Sequence, residues 1–109
     1  MTADPLAVVL VMAPDAACAG TLARHLVEER LAACVNILPG AVSVYRWQDE
    51  LRQDPEVLLL CKTRRDLFDA LAARVKQLHP YQVPEVILLP LEAVEETYGR
   101  WLRAETLKP

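Results

Sequence analysis

His79, Tyr81 and Glu85 fall within one short stretch, His79-Pro80-Tyr81-Gln82-Val83-Pro84-Glu85. It offers an imidazole, a phenol and a carboxylate on a loop held by two prolines. Each proline fixes its own φ and pushes the preceding residue out of the helical region. His79 and Val83 are therefore expected to be extended. The loop stands where a helical pattern ends and an apolar strand pattern begins, and stiff loops of this kind often carry binding groups. A well-shaped turn with no ligand has the same sequence. Cys34 adds a sulfur to the set. Imidazole and thiolate suit copper and zinc, and a carboxylate completes such a site, so His79, Cys34 and Glu85 are candidate metal ligands. They are far apart along the chain, and a site needs them assembled in space or across subunits. The same residues also read as structure. Cys34 fits as a small buried hydrophobe, and His79 fits as a cap at the negative end of a helix.

Tyr45, Trp47, Lys62 and Tyr81 form a second candidate group. Aromatic walls with a lysine suit a small anionic ligand; tyrosine and tryptophan are also enriched where subunits pack. Cys18 and His25 are seven residues apart on a helical stretch, about 10 Å along the axis, too far to share one ion. A Cys34 thiolate activated by His79 would make a nucleophile and base. No residue presents itself as the orienting third group, and no P-loop, GxGxxG, HExxH or GxSxG motif occurs. An enzyme is not expected.

The elements that must position these groups are well punctuated. Leu6 to Ala13 is a continuous apolar run stopped by Pro14-Asp15, a strand covered on both faces. Asp15 is a plausible N-cap. Ala19, Leu22, Ala23, Leu26 and Val27 then make a helical stripe. Ala33 to Leu38 alternates, Pro39-Gly40 interrupts, and Val42 to Trp47 alternates again. The polar stretch Gln48 to Pro55 precedes the apolar Glu56 to Lys62. These read as two long antiparallel strands with a bend or bulge at Pro39-Gly40. Thr63-Arg64-Arg65-Asp66 matches a capping box ahead of a stripe from Leu67 to Leu78. Val83 to Leu91 gives another strand, and Val94, Tyr98, Trp101 and Leu102 a short amphipathic helix. The first six elements follow the ferredoxin-like βαββαβ order of an α+β domain. Right-handed crossovers put both long helices on one sheet face. The other face needs a cover that the long hairpin and the C-terminal helix are too small to give, and a partner subunit is the simplest one.

Composition agrees. A chain of 109 residues, read as one domain over 1–109, is 53% hydrophobic, and its mean hydropathy is +0.15. That is more apolar material than a small monomer easily hides, and obligate interfaces absorb such an excess. Tyr45 and Trp47 are expected to be largely buried at such a contact or its rim. A net charge of −3 without a basic patch argues against nucleic acid. No apolar run approaches the roughly 18 residues of a membrane span, and no signal peptide is evident at the start. Three cysteines without a CxxC pair fit reduced thiols in the cytoplasm.

Leu26-Val27-Glu28-Glu29-Arg30-Leu31-Ala32-Ala33-Cys34-Val35-Asn36, Pro39-Gly40, Ser43-Val44-Tyr45-Arg46-Trp47, Lys62-Thr63 and the His79 to Glu85 loop, in this order and spacing, resemble the CutA divalent-cation tolerance family. The terminal Tyr98, Trp101 and Leu102 fit that family's last helix. The resemblance runs from about Val8 to Glu105. It implies a ferredoxin-like subunit, a homotrimer, and a role in tolerance of copper or other divalent cations, with copper as a ligand. Some members described as copper binders carry a first-strand cysteine and two adjacent histidines before the Pro-Tyr. Here those positions are Val11, Leu78 and His79, so one of the three groups remains.

Overall fold

The computed structural model describes residues 5–107. Its elements are β1 (Leu6–Ala13), α1 (Ala16–Glu28), β2 (Cys34–Trp47), β3 (Glu50–Arg64), α2 (Phe68–Leu78), β4 (Val86–Pro90) and α3 (Glu96–Glu105). The strands form one sheet in the order β2-β3-β1-β4, and every neighbouring pair is antiparallel. This is the expected α+β, ferredoxin-like arrangement.

Sequence signals account for most element ends. The Asp15 carboxylate accepts from the Cys18 N–H at 2.8 Å, capping α1 as expected. The stripe then buries Ala19, Leu22, Ala23 and Leu26. Leu71 and Val75 of α2 join the same core, against Val9, Val11 and Ala13 of β1 and Val57, Leu59 and Cys61 of β3. Both long helices therefore cover one sheet face. Burial pushes the Cys61 thiol up to about 12, with the neighbouring Cys34 adding to the rise. Cys61 should stay unreactive toward iodoacetamide in the folded protein, and peptide mapping of alkylated sites checks this.

The opposite face is largely uncovered. The even-numbered residues of β1 and β3 lie on it: Val8, Leu10 and Met12 pair with Lys62, Leu60 and Leu58. Leu10 and Val8 also pair with Ile87 and Leu89 of β4, which are 47% and 48% exposed. Leu102 of α3 packs with Leu6 and Ala33 and so closes only one end of this face.

The hairpin is longer than its polar stretch suggested. Strand pairing continues to Trp47↔Glu50, and only Gln48 and Asp49 turn, with φ of 48° and 65°. Positive φ at both central residues matches a tight hairpin turn that follows the strand twist. Pro55 is tolerated inside β3 because β1 has already ended opposite Val57, so its missing donor faces no strand. The interruption at Pro39-Gly40 is a bulge. The register steps from Leu38↔Leu58 to Ala41↔Glu56, three residues against two, with Gly40 at φ +93°. One extra residue exchanges the two faces of a strand. Cys34, Asn36 and Leu38 share the uncovered face before the bulge; Ala41, Ser43, Tyr45 and Trp47 share it after.

Two expectations fail. Thr63-Arg64-Arg65-Asp66 is not a capping box. Thr63 is still in β3, and its hydroxyl donates to the Leu31 carbonyl at 2.6 Å. Asp66 instead accepts a forked pair from Arg64, at 3.1 and 2.8 Å, and α2 starts through a 3-10 turn over Arg65–Leu67 without a side-chain cap. The last strand is Val86–Pro90 rather than Val83 to Leu91. Pro84 has no N–H to give a ladder, and the segment before it is drawn toward the hairpin by Tyr81.

Candidate functional site

The His79 loop closes a cleft against the base of the hairpin. The cleft holds about 740 Å³ and is lined by Met12, Ser43, Val44, Tyr45, Trp47, Arg52, Glu56 and residues 80–83 and 85. The bulge makes this possible, since it turns Tyr45 and Trp47 onto the face that carries Met12 and Glu56.

His79 is where the chain leaves α2, with φ −81° and ψ 138°, extended as a residue before proline should be. It is buried, at 7% exposure. Its Nε2 lies 2.7 Å from the Met12 carbonyl oxygen, and its Nδ1 accepts from the Tyr81 N–H at 3.1 Å. A carbonyl only accepts, so Nε2 carries the proton and the ring is a neutral bridge. Its centroid is 4.6 Å from that of Tyr81. The ring therefore fastens the loop to the end of β1, and neither nitrogen is left to hold an ion.

Tyr81 passes the connection on. Its hydroxyl donates to Glu56 Oε2 at 2.9 Å, and burial together with Glu56 raises the phenol well above its ordinary range. Tyr45 does the same across the hairpin, donating to Asp54 Oδ2 at 2.6 Å, a bond that also raises its phenol. Glu85 lies in the cleft, and its carboxyl is raised by burial and by the charge of Glu56. A raised carboxyl favours folding below the ordinary carboxylate pKa, and that contribution is lost as pH rises through the raised value. At neutral pH the Glu85 charge therefore weighs against the fold. Glu85→Gln should melt higher than the parent by roughly a degree or two at pH 7 and equal it near pH 4, the small size reflecting solvent screening. A variant that melts lower at pH 7, followed by circular dichroism, contradicts this.

The structure separates the proposed ligands. Cys34 pairs with Lys62, which pairs with Val8, while His79 joins the sheet at Met12. Four residues of strand separate those rows, about 13 Å. Glu85 lies with the cleft, Cys34 far along the sheet. Among the described residues no three His, Cys, Asp or Glu side chains converge to hold an ion. Within one chain, then, His79, Cys34 and Glu85 do not fit a metal centre. The second group divides as well: Tyr45, Trp47 and Tyr81 line the cleft, but Lys62 stands six residues along β3 from Glu56, about 20 Å away. The cleft is acidic rather than basic. Sequence reasoning missed Glu56 and Asp54, whose only signal was their even spacing on the strand carrying Leu58 and Leu60.

The rest of the molecule matches known proteins as the cleft's frame does. Residues 7–105 match the model of the CutA1 divalent ion tolerance protein family. The chain is 54% identical over 99 residues to the divalent-cation tolerance protein CutA of Thermus thermophilus, covering 91% of this chain and 96% of that one. It superimposes on the crystal structure of CutA1 from Oryza sativa with a TM-score of 0.96 at 44% identity, over the whole of both chains. An Archaeoglobus fulgidus structure named as a periplasmic divalent cation tolerance protein CutA matches with a TM-score of 0.89 at 29% identity, over 92% of this chain and 97% of that one. Motif order, sheet topology and both kinds of match agree over nearly the whole length, and the chain belongs to the CutA1 divalent ion tolerance family.

Proposed function

We propose that this chain acts in divalent-cation tolerance, copper included, as a cytoplasmic homotrimer that responds through the cleft under the hairpin. No metal centre preformed in each subunit is needed. The observation that carries the reading is the uncovered apolar sheet face, continuous with the cleft through Met12. Obligate interfaces have this character, and in a single chain Tyr45 is still 39% exposed. A neighbour lying on the face would complete the burial of Tyr45 and Trp47 and give the cleft an outer wall. Any ion held directly by Glu85 or Cys34 would need donors from more than one subunit. The family's name describes tolerance rather than a reaction, and neither nucleic acid nor membrane enters this reading.

Light scattering on the eluting protein should give the mass of three chains at micromolar concentration. Cells lacking their own homologue and challenged with copper should recover growth when this chain is supplied. A monomer mass defeats the assembly, and absence of growth recovery with folded protein present defeats the role.

A further inference from the structure

The cleft has the chemistry of a binding site, and the reading of it as the responsive element leaves its ligand unnamed. We propose that it takes a small organic cation, an ammonium or guanidinium group carried on a flat or apolar body. This deepens the functional reading above and rests on it for the identity of the site alone.

Three independent features converge on that class. Tyr45, Trp47 and Tyr81 line the cleft, and aromatic faces attract cations while accepting apolar surface. Glu56 supplies the counter-charge. It is 8% exposed, its Oε2 is taken by the Tyr81 hydroxyl, and its Oε1 has no hydrogen-bond partner among the described residues. No buried side-chain oxygen among the described residues lacks a partner, so Oε1 opens to the cleft that Glu56 lines, where a donor can reach it. Glu85 stands close enough for Glu56 to raise its carboxyl, so two acidic groups repel one another across the same space. A ligand cation would relieve both.

The protein's own cation does not do this. Arg52 lines the cleft, but its guanidinium pairs with Glu50 at 3.8 Å and is half exposed. An anion is disfavoured by Glu56 and Glu85. A bare metal ion suits the space poorly, because 740 Å³ is the size of an organic ligand's pocket and the walls are aromatic.

Benzamidinium and benzamide are nearly the same shape and differ in charge, so the pair is a direct probe. The chain has two tryptophans, and Trp101→Phe leaves Trp47 as the sole reporter. Titration of the assembled protein with benzamidinium should change Trp47 fluorescence saturably, with benzamide at least about tenfold weaker, the scale of one charge-assisted contact. Glu56→Gln and Glu85→Gln should each weaken benzamidinium by about tenfold while circular dichroism and mass stay as in the parent. Should Glu56→Gln fail to fold, Glu85→Gln decides alone. Equal binding of the two probes, no saturation at millimolar benzamidinium, or unchanged affinity in the folded variants overturns the proposal. A trimer that restores growth on copper yet ignores benzamidinium defeats this inference alone. A monomer that binds the probe defeats the trimeric reading alone.

Discussion

Replacing His79 by alanine should lower the melting temperature by about 10 °C or more and leave any copper affinity where it was. The ring is 7% exposed and fills space at the junction of α2, β1 and the loop. Its removal leaves a void, strips the Met12 carbonyl of the Nε2 donor, and strips the Tyr81 N–H of its acceptor. Truncating a large buried side chain costs about 2–5 kcal/mol, and an orphaned buried backbone group adds about 1–3 kcal/mol. A domain of this length shifts by roughly 4–8 °C for each kcal/mol. The loss should reach Tyr81 and hence Glu56, so the cleft should loosen along with the fold. Calorimetric titration of demetallated parent and variant with copper separates this from ligation. An affinity that collapses in His79→Ala while the melting temperature holds makes His79 a metal ligand after all.

Much of the frame was legible because local signals and global packing agreed. Asp15 before an apolar stripe gave the start of α1, and the αβ order with an apolar excess gave the layer arrangement and the bare face. The failures share a cause: each was settled by a residue distant in sequence. Thr63 has the form of a capping residue, but Leu31, 32 positions away, offers its carbonyl first. His79 has the form of a ligand, yet the Met12 carbonyl, 67 positions away, accepts its Nε2–H. The bulge is the sharpest case. Pro39-Gly40 announced an irregularity, but whether it inserted one residue or two decides which way Tyr45 and Trp47 point. Only the register, Leu38↔Leu58 followed by Ala41↔Glu56, supplies that count. With the parity known, Glu56 falls on the same face as Tyr45 and Trp47, while Lys62 stays beside Cys34. A pocket expected to suit anions becomes one lined by carboxylates.

Leu60→Glu should abolish the proposed trimer while leaving each subunit folded. Leu60 sits at the middle of the bare face, paired with Leu10 of β1 and with Asn36 of β2. It is only partly buried in the single chain, whereas Leu59 beside it is fully buried in the helix-covered core. A glutamate at position 60 can therefore reach water with its carboxylate in a monomer. In a trimer closed over this face, each subunit contributes the same residue under point-group symmetry, so three carboxylates would enter the contact together. Each loses the apolar burial of a leucine, about 1.5–3 kcal/mol, and adds a desolvated charge without a partner, several kcal/mol more. Summed over three copies, that exceeds what a micromolar assembly can absorb. The companion Ala73→Glu, on the exposed side of α2, should leave the mass unchanged, because that helix faces away from the bare sheet. Light scattering should read one chain for Leu60→Glu and three for Ala73→Glu, with both retaining parental far-ultraviolet circular dichroism. A three-chain mass and a parental melting temperature for Leu60→Glu would place the subunit contact elsewhere, and the cleft would then have to be completed by the hairpin of its own chain.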